Sequence, residues 1–561
     1  MNEKNNIAGT IVGVTTPVEF YFKVQPNAVK LHDIVYVEVE EAEATDGASP
    51  KSRRVWARVT EIERLNPLFP EEAAQELANR SLDAVQTIIS LSREMITAKA
   101  LVLGVEDPER GTLSPLTYPP QPASSVKLPE TDEIKKIIQR NVPPHRLIEL
   151  GYLRGREKYP VHVDILPILT RHLAVLATTG AGKTVTVRTF LEKLLSQTSY
   201  PVLILDLHSD YIGLETHPNI RGRVKFFYPS VDIATDSFER LLDLARELSG
   251  EDITPPQEAL FRDLIKLVQD EWVADKEKGK WKEDGFIHNK VEPQFEKRIE
   301  HLLYPYTHFY CLAELLDKIG SVKDNLPSSY PALKNQTQSY SPLRRVLSKA
   351  GRAYKRAKEA AKRVLASSKA SSITSKNVAE LIQKRQVSIL QLEGYGGYAP
   401  ALVAGLLEAL FEKRVNNEIS QFLLVVEEAH NFIPSRSEGK EAATAPILRQ
   451  IASEGRKYGM GLVLVSQRPS RLDPTALAQC NSYFILRIIN PADQKYIREV
   501  VEALSEEELK ILPTLATGEA LIAGECVPFP MIISVHQSAT HGKHEKEDFL
   551  NEFLVLQGRL I

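Results

Sequence analysis

A lysine and a threonine set behind two glycines, Gly180-Ala181-Gly182-Lys183-Thr184, carry the clearest chemistry in this 561-residue chain. A short apolar run, Leu173 to Leu176, leads into Thr178-Thr179 and these five residues, and a segment of helical character, Val185 to Leu195, follows. That is the strand, loop and helix order of a phosphate-binding P-loop. Gly180 and Gly182 let the backbone turn its N–H groups onto phosphate oxygens, where a Cβ would crowd the approach. The helix N-terminus adds partial positive charge. The phosphate-binding set is then Thr179, Gly180, Ala181, Gly182, Lys183, Thr184 and Val185. Lys183 reaches the terminal phosphates and the Thr184 hydroxyl suits Mg²⁺. The consensus is met except at its first position, Ala177, the one farthest from the phosphates.

A second constellation lies far downstream. Phe422-Leu423-Leu424-Val425-Val426 is a hydrophobic run that ends in Glu427-Glu428-Ala429-His430. P-loop chemistry requires one acid to hold the Mg²⁺ water shell and a second to orient the attacking water. On that logic Glu427 serves the metal and Glu428 the water. The usual pair is Asp-Glu, so Glu427 departs from it by one methylene. The competing reading is a strand end that meets solvent. Another apolar run, Leu462 to Ser466, ends in Gln467-Arg468, which places Gln467 where a γ-phosphate can be sensed. Arg456 and Arg468 are candidates for stabilising transition-state charge, with a structural salt bridge as the alternative for each. Val202 to Asp206 has the form of a buried parallel strand that delivers a carboxylate to a ligand edge, and the loop after it runs to Tyr211.

These groups need a scaffold. The length calls for several domains, and 43% hydrophobic with 25% charged residues is a soluble globular profile. The net charge of −3 requires any nucleic acid to meet local basic surface. Cys311, Cys480 and Cys526 lie far apart, which argues for a reducing compartment and against structural zinc. No run approaches a membrane span and the first residues are no signal sequence, so a cytoplasmic location is expected. Residues 1–105 read as a small β-barrel of short strands with a helical interruption at Pro70 to Leu77. Residues 106–145 read as a linker with a helix at Asp132 to Arg140. Residues 146–230 and 386–540 alternate strands and helices, the pattern of an α/β core with a mostly parallel sheet. Between them, 231–385 reads as an α-helical insertion, with helices that include Glu292 to Leu303 and Pro342 to Ala366; residues 541–561 form a tail. The last insertion helix is basic: Arg344, Arg345, Lys349, Arg352, Lys355, Arg356, Lys358, Lys362 and Arg363 face only Glu359. It suits DNA phosphates or, equally, a solvated face.

The lead-in Arg171-His172, the ATTGAGKT loop, LDLHSDY, VVEEAHNFIP and SEGRKYGMGLVLVSQRPS, with their spacing, resemble the HerA family of the HerA/FtsK group of ATPases. The family usually has a DPHGEY-like sequence where this chain has LDLHSDY. The resemblance covers 145–230 and 385–540 most closely. It implies a RecA-like P-loop motor, an N-terminal barrel of the family's HAS type, ATP and Mg²⁺ as cofactors, and a homohexameric ring that threads double-stranded DNA. It also implies ATP sites between subunits, a separate nuclease or effector on the barrel, and a role in DNA end processing or antiphage defence. In that picture Lys183, Thr184 and Glu428 act in cis. Arg171 and Arg456 correspond to arginines presented at the ATP site. The loop Asn431 to Lys440 is a candidate channel loop, and the loop near Asp210 to Leu214 is a second. Two other readings stand beside it: an ATP-binding ring scaffold that activates a partner nuclease, and a secretion or conjugation ATPase. No nuclease constellation is visible in the chain.

Overall fold

A computed structural model describes residues 6–41, 51–65, 94–107, 112–140, 142–231, 233, 236–273, 280–282, 284–293, 309–364, 370–436, 441–502 and 504–541. The helices expected at Pro70 to Leu77 and over most of Glu292 to Leu303 fall outside these residues, as do Lys440 and the C-terminal tail. The chain divides into two compact units. The first comprises Met1–Leu166, Phe484–Arg487 and Glu502–His536; the second comprises Pro167–Tyr483, Ile488–Val501 and Gln537–Ile561.

In the first unit, period-two alternation builds a closed barrel. Its strands are β1 (Ile7–Thr15), β2 (Glu19–Val24), β3 (Ile34–Glu41), β4 (Lys51–Leu65), β5 (Met95–Asp107), β6 (Thr112–Ser114) and β7 (Ser125–Lys127). The order β2-β1-β7-β3-β4-β5 closes through the pairing of β2 with β5, and β6 lies outside against β5. On β2, Phe20, Phe22 and Val24 point inward while Tyr21 and Lys23 point out, the alternation a half-buried strand requires. Phe20 and Phe22 join Val35, Val37, Ala57, Val59, Ala98 and Ala100 in the barrel core. Strand β7 comes from the stretch expected to be a linker and pairs with both β1 and β3. The antiparallel strands Leu147–Leu153, Arg156–Asp164, Glu519–Gly524 and Met531–Val535 complete this unit.

The second unit is a parallel sheet flanked by helices. Its strands are β8 (Leu173–Leu176), β9 (Val202–Asp206), β10 (Val224–Pro229), β11 (Ala370–Ile373), β12 (Val387–Gln391), β13 (Phe422–Val426) and β14 (Met460–Ser466). They run in the order β11-β10-β12-β9-β13-β14-β8, with every neighbouring pair parallel. Strands β8, β9, β12, β13 and β14 are buried along their whole length, as their near-continuous apolar sequences demand of a doubly covered parallel sheet. The order places β14, which ends before Gln467, between the P-loop strand β8 and the acidic strand β13. Helices Phe238–Ser249, Pro255–Glu271, Phe309–Val322 and Tyr340–Val364 form the α-helical insertion, which re-enters the sheet as edge strand β11. The fold is thus α/β, a RecA-like P-loop core with an N-terminal barrel and a helical insertion. Among the described residues no helix is long and apolar enough to cross a membrane.

Candidate active site

The site begins where β8 leaves the sheet. Ala177 is fully buried and its N–H bonds Ser466 O at 3.2 Å, so the departure from consensus falls on a residue still packed in the sheet. Gly180 and Gly182 have φ of +77° and +96°, left-handed values that favour glycine. The P-loop helix Lys183–Gln197 starts directly at Gly182, whose position offers no capping side chain. The N–H groups of Lys183, Thr184 and Val185 are first-turn donors with no acceptor inside the helix. A Cβ placed on Gly180 would meet nothing within 4 Å, so space is open above the loop.

Two carboxylates close on the lysine. The Lys183 ammonium donates to Glu427 Oε1 and, at 2.7 Å, to Glu428 Oε1. The amide of Gln467 donates to the same Glu428 oxygen, and Thr179 Oγ1 donates to Gln467 Oε1 at 2.6 Å. Tyr211, fully buried, donates its hydroxyl to the other oxygen of Glu427 at 2.5 Å. Thr184 Oγ1 lies 3.4 Å from Asp210 Oδ2. P-loop, acidic strand, glutamine strand and the loop after β9 therefore form one hydrogen-bonded network. It brings together Thr179, Lys183, Glu427, Glu428 and Gln467, and joins Thr184 to the loop after β9.

Charge in this network is set by burial and pairing. Burial works against the Lys183 ammonium, but Glu427 and Glu428 outweigh it and hold its pKa above the ordinary value. Glu427, with no exposed surface, is raised by desolvation against the pull of Lys183. Glu428 is also desolvated, yet Lys183, His430 and Gln467 lower its pKa and keep it ionised at neutral pH. Its Oε2 accepts no hydrogen bond among the described residues, although His430 Nδ1 lies 3.4 Å away. A buried carboxylate oxygen without a donor is where a water belongs. Together with open space over Gly180 and unused first-turn N–H groups, this oxygen fits a nucleotide with its Mg²⁺ and an attacking water.

The loop after β9 is fixed from beneath. Asp206, fully buried, accepts the backbone N–H groups of His208, Asp210 and Tyr211 at 3.3, 3.1 and 3.2 Å. Burial pushes its pKa up to about 7 against the N–H groups of Tyr211 and Asp210. This wrap aims Tyr211 at Glu427 and Asp210 at Thr184. Sequence reasoning placed Tyr211 in this loop but did not pair it with Glu427, which lies 216 positions away.

The arginines sit elsewhere. Arg456 is exposed in the last turn of helix Ala445–Tyr458, which Gly459 ends in a left-handed conformation, and Arg468 is exposed after Gln467. Arg171 is half-buried, and its carbonyl accepts the Asn481 N–H at 2.9 Å. Its neighbour His172 is buried. There Nδ1 accepts the Leu462 N–H at 3.1 Å and Nε2 lies 3.0 Å from Ala452 O, so the proton sits on Nε2. His172 thereby ties the start of β8 to the helix carrying Arg456 and to the strand preceding Gln467.

Residues 148–409 match the family model described as helicase HerA, central domain. Over this segment the chain is similar to the HerA central domain. The matched segment holds the P-loop and the helical insertion and ends before Glu427 and Glu428. The chain is 26% identical to a probable helicase of Methanocaldococcus jannaschii over 94% of its own length and 95% of that protein. It is 27% identical to the DNA double-strand break repair helicase HerA of Pyrococcus furiosus, over 69% of each chain. Among solved structures, VirB4 of Thermoanaerobacter pseudethanolicus aligns over 70% of this chain and 96% of its own, with a TM-score of 0.45 and 17% identity. HerA-like proteins thus match both the P-loop half and, through the relatives, the acidic half of the site.

Proposed function

We propose that this HerA-like chain is an ATP-hydrolysing motor that translocates on double-stranded DNA as a homohexameric ring. The observation that carries the reading is the network around Lys183: a lysine, an ionised glutamate and a glutamine just beyond the ends of three adjacent strands, all linked by hydrogen bonds. A scaffold that only binds nucleotide has no need of an ionised Glu428 with a free oxygen in reach of the P-loop. Bound ATP and Mg²⁺ supply the anhydride bond that is cleaved and the charge that offsets its oxygens. Lys183 and the first-turn N–H groups hold the phosphate oxygens; Thr184 and Glu427 hold the Mg²⁺ and its waters. Glu428 accepts the proton of the attacking water, and Gln467 connects that carboxylate to Thr179 on the P-loop. Phosphate oxygens that enter the loop compete with the two carboxylates for Lys183, which couples binding to the release of Glu428.

A ring gives the arginines a place. Arg456 is exposed and outside the lysine network, the position expected of a group offered to a neighbouring subunit; Arg171 has the same role from the β8 side. The wider family resemblance adds a separate nuclease or effector docked on the barrel, acting in DNA end processing or antiphage defence. Exposed Val12, Val14, Val18 and Tyr21 on the barrel supply apolar surface for such a partner. The test is the ATPase rate of the full chain with and without linear duplex DNA, beside Glu428→Gln. Stimulation of the wild type and its loss in the variant are expected. No stimulation by any DNA, alone or with a co-purifying nuclease, overturns the motor reading.

A further inference from the structure

The basic helix of the insertion, Tyr340–Val364, is divided by the structure into two electrostatically different halves. Its inner face is apolar: Leu343, Val346, Leu347, Ala350, Tyr354 and Ala357 are buried against helices Phe309–Val322 and Phe238–Ser249. At 3.6 residues per turn, Arg345, Lys349, Arg352, Lys355, Arg356 and Arg363 share the opposite face. Toward the N-terminus the cations are paired. Arg345 and Lys349 lie 3.2 and 3.1 Å from the Glu251 carboxylate, and Arg344 lies 2.7 Å from Asp317. Toward the C-terminus Arg352, Lys355, Arg356 and Arg363 are exposed, and no ion pair among the described residues involves Arg352, Lys355 or Arg356. The one acidic side chain of that half is Glu359, also exposed.

The face is rigidly presented. Tyr354 is buried, and its hydroxyl accepts the Val231 N–H at 3.2 Å and bonds Ser230 Oγ at 3.3 Å, just past the end of β10. Gly351 lets the helix cross close to the start of helix Phe309–Val322: a Cβ there would lie 2.5 Å from Tyr310 N. Tyr310, at that crossing, is 49% exposed. Long cations held on a packed helix, with no carboxylate pairing Arg352, Lys355 or Arg356 among the described residues, match a run of phosphates. The span from Arg352 to Arg363 is about 16 Å at 1.5 Å per residue, and among the described residues of this span no aliphatic side chain is exposed. A membrane surface would require such side chains next to the cations.

We infer that the C-terminal half of helix Tyr340–Val364, through Arg352, Lys355, Arg356 and Arg363, binds the phosphate backbone of duplex DNA without reading sequence. The inference rests on the motor reading above and adds a contact surface on the insertion, remote in sequence from the nucleotide loop. It holds the duplex to each subunit while the nucleotide site cycles.

The experiment is a salt titration of full-length protein binding to a short labelled duplex, in the presence of a non-hydrolysable ATP analogue. Wild type is compared with the triple variant Arg352→Gln/Lys355→Gln/Arg356→Gln and with Arg345→Gln/Lys349→Gln. Three lost phosphate contacts reduce the slope of log affinity against log salt by about 2.7, which is roughly 40-fold less affinity lost between 50 and 200 mM salt. The paired-half variant loses clearly less slope than the triple variant, since Glu251 holds both of those cations and offsets one of the two charges. Thermal unfolding of both variants at the wild-type midpoint shows that they are folded. A triple variant with the wild-type slope, while wild type binds and is stimulated by duplex, overturns this surface and leaves the motor standing. Equal loss of slope in both variants also overturns it, because general charge then explains the binding. Wild type that neither binds duplex nor is stimulated by it overturns the motor reading and this one with it.

Discussion

Two regions of the molecule concentrate charge, the carboxyl ends of strands β8, β9, β13 and β14 and the outer face of helix Tyr340–Val364, and they handle it in opposite ways. At the strand ends Lys183, Glu427 and Glu428 are at most 5% exposed, and each ionised group is held by a partner of opposite charge or by a donated hydrogen bond. On the helix the cations stand in solvent, and the pairs that exist are exposed salt bridges. Buried charge is costly to leave uncompensated, so every member of the first region depends on the others. Exposed charge is screened and nearly independent. Substitutions therefore divide into large effects at the strand ends and small ones on the helix, and the following outcomes test that division.

The largest effect belongs to Glu428→Gln. The side chain keeps its shape and one acceptor for Lys183 and Gln467 but can no longer take a proton. Hydrolysis falls roughly 10²–10⁴-fold while nucleotide still binds, measured as steady-state ATPase rate beside equilibrium binding of a labelled ATP analogue. A variant that retains a tenth of the wild-type rate would remove Glu428 from the role of base.

Buried His172 gives the next effect. Burial lowers its pKa from 6.5 to about 4. The folded state therefore favours the neutral ring, and acidification must charge a group that accepts the Leu462 N–H. The stability it supports is complete above pH 6.5 and declines as pH falls toward 4, by a total of about 3 kcal/mol. The variant His172→Asn tolerates the left-handed backbone, φ +63°, and does not titrate. Its denaturant midpoint falls less than that of wild type between pH 7 and pH 4.5. Parallel pH profiles of the two proteins would place the acid sensitivity elsewhere.

Tyr211→Phe tests the same region one bond further out. The phenyl ring fills the same space, and only the hydrogen bond to Glu427 is lost. With that carboxylate oxygen freed, the Mg²⁺ concentration for half-maximal ATPase rises about tenfold, in the range seen when a partner of a metal ligand is removed. The rate at saturating Mg²⁺ changes little. A fall in that saturating rate with no change in Mg²⁺ requirement would mean that Tyr211 serves packing alone.

The contrast between the two regions also explains what could be read in advance. Strands Glu19–Val24, Val202–Asp206, Phe422–Val426 and Met531–Val535 were legible because each is an apolar or alternating run with a sharp polar boundary. Lys183, Glu427, Glu428 and Gln467 stood out because residue type and strand end coincide, and the structure joins them in one hydrogen-bonded network. Tyr211 did not stand out, because its partner Glu427 is met across the sheet, a contact that no local pattern encodes. Ala370–Ile373 has the sequence Ala-Ser-Ser-Ile, with little strand character, and its extension is imposed by pairing with β10. Ser125–Lys127 likewise becomes a strand only because β1 and β3 leave it a place in the barrel. The basic helix was visible as a charge run, but its division into a paired and a free half depends on where the chain folds Glu251.

That residue supplies the smallest expected effect and the strictest check on the comparison. Glu251 accepts bonds from Lys349 and Arg345, which lower its pKa against desolvation. The carboxylate is open to solvent, so its ion pairs are screened and add little to folding. Glu251→Gln leaves the thermal midpoint unchanged, in contrast to the acid sensitivity assigned to His172. It does, however, release two more cations onto the free face of the helix. The log–log salt slope of duplex binding then steepens, by up to about 1.8 if both cations reach phosphates. A lowered midpoint in this variant would show that the helix uses its exposed pairs for stability, and the line drawn between the two regions would fall.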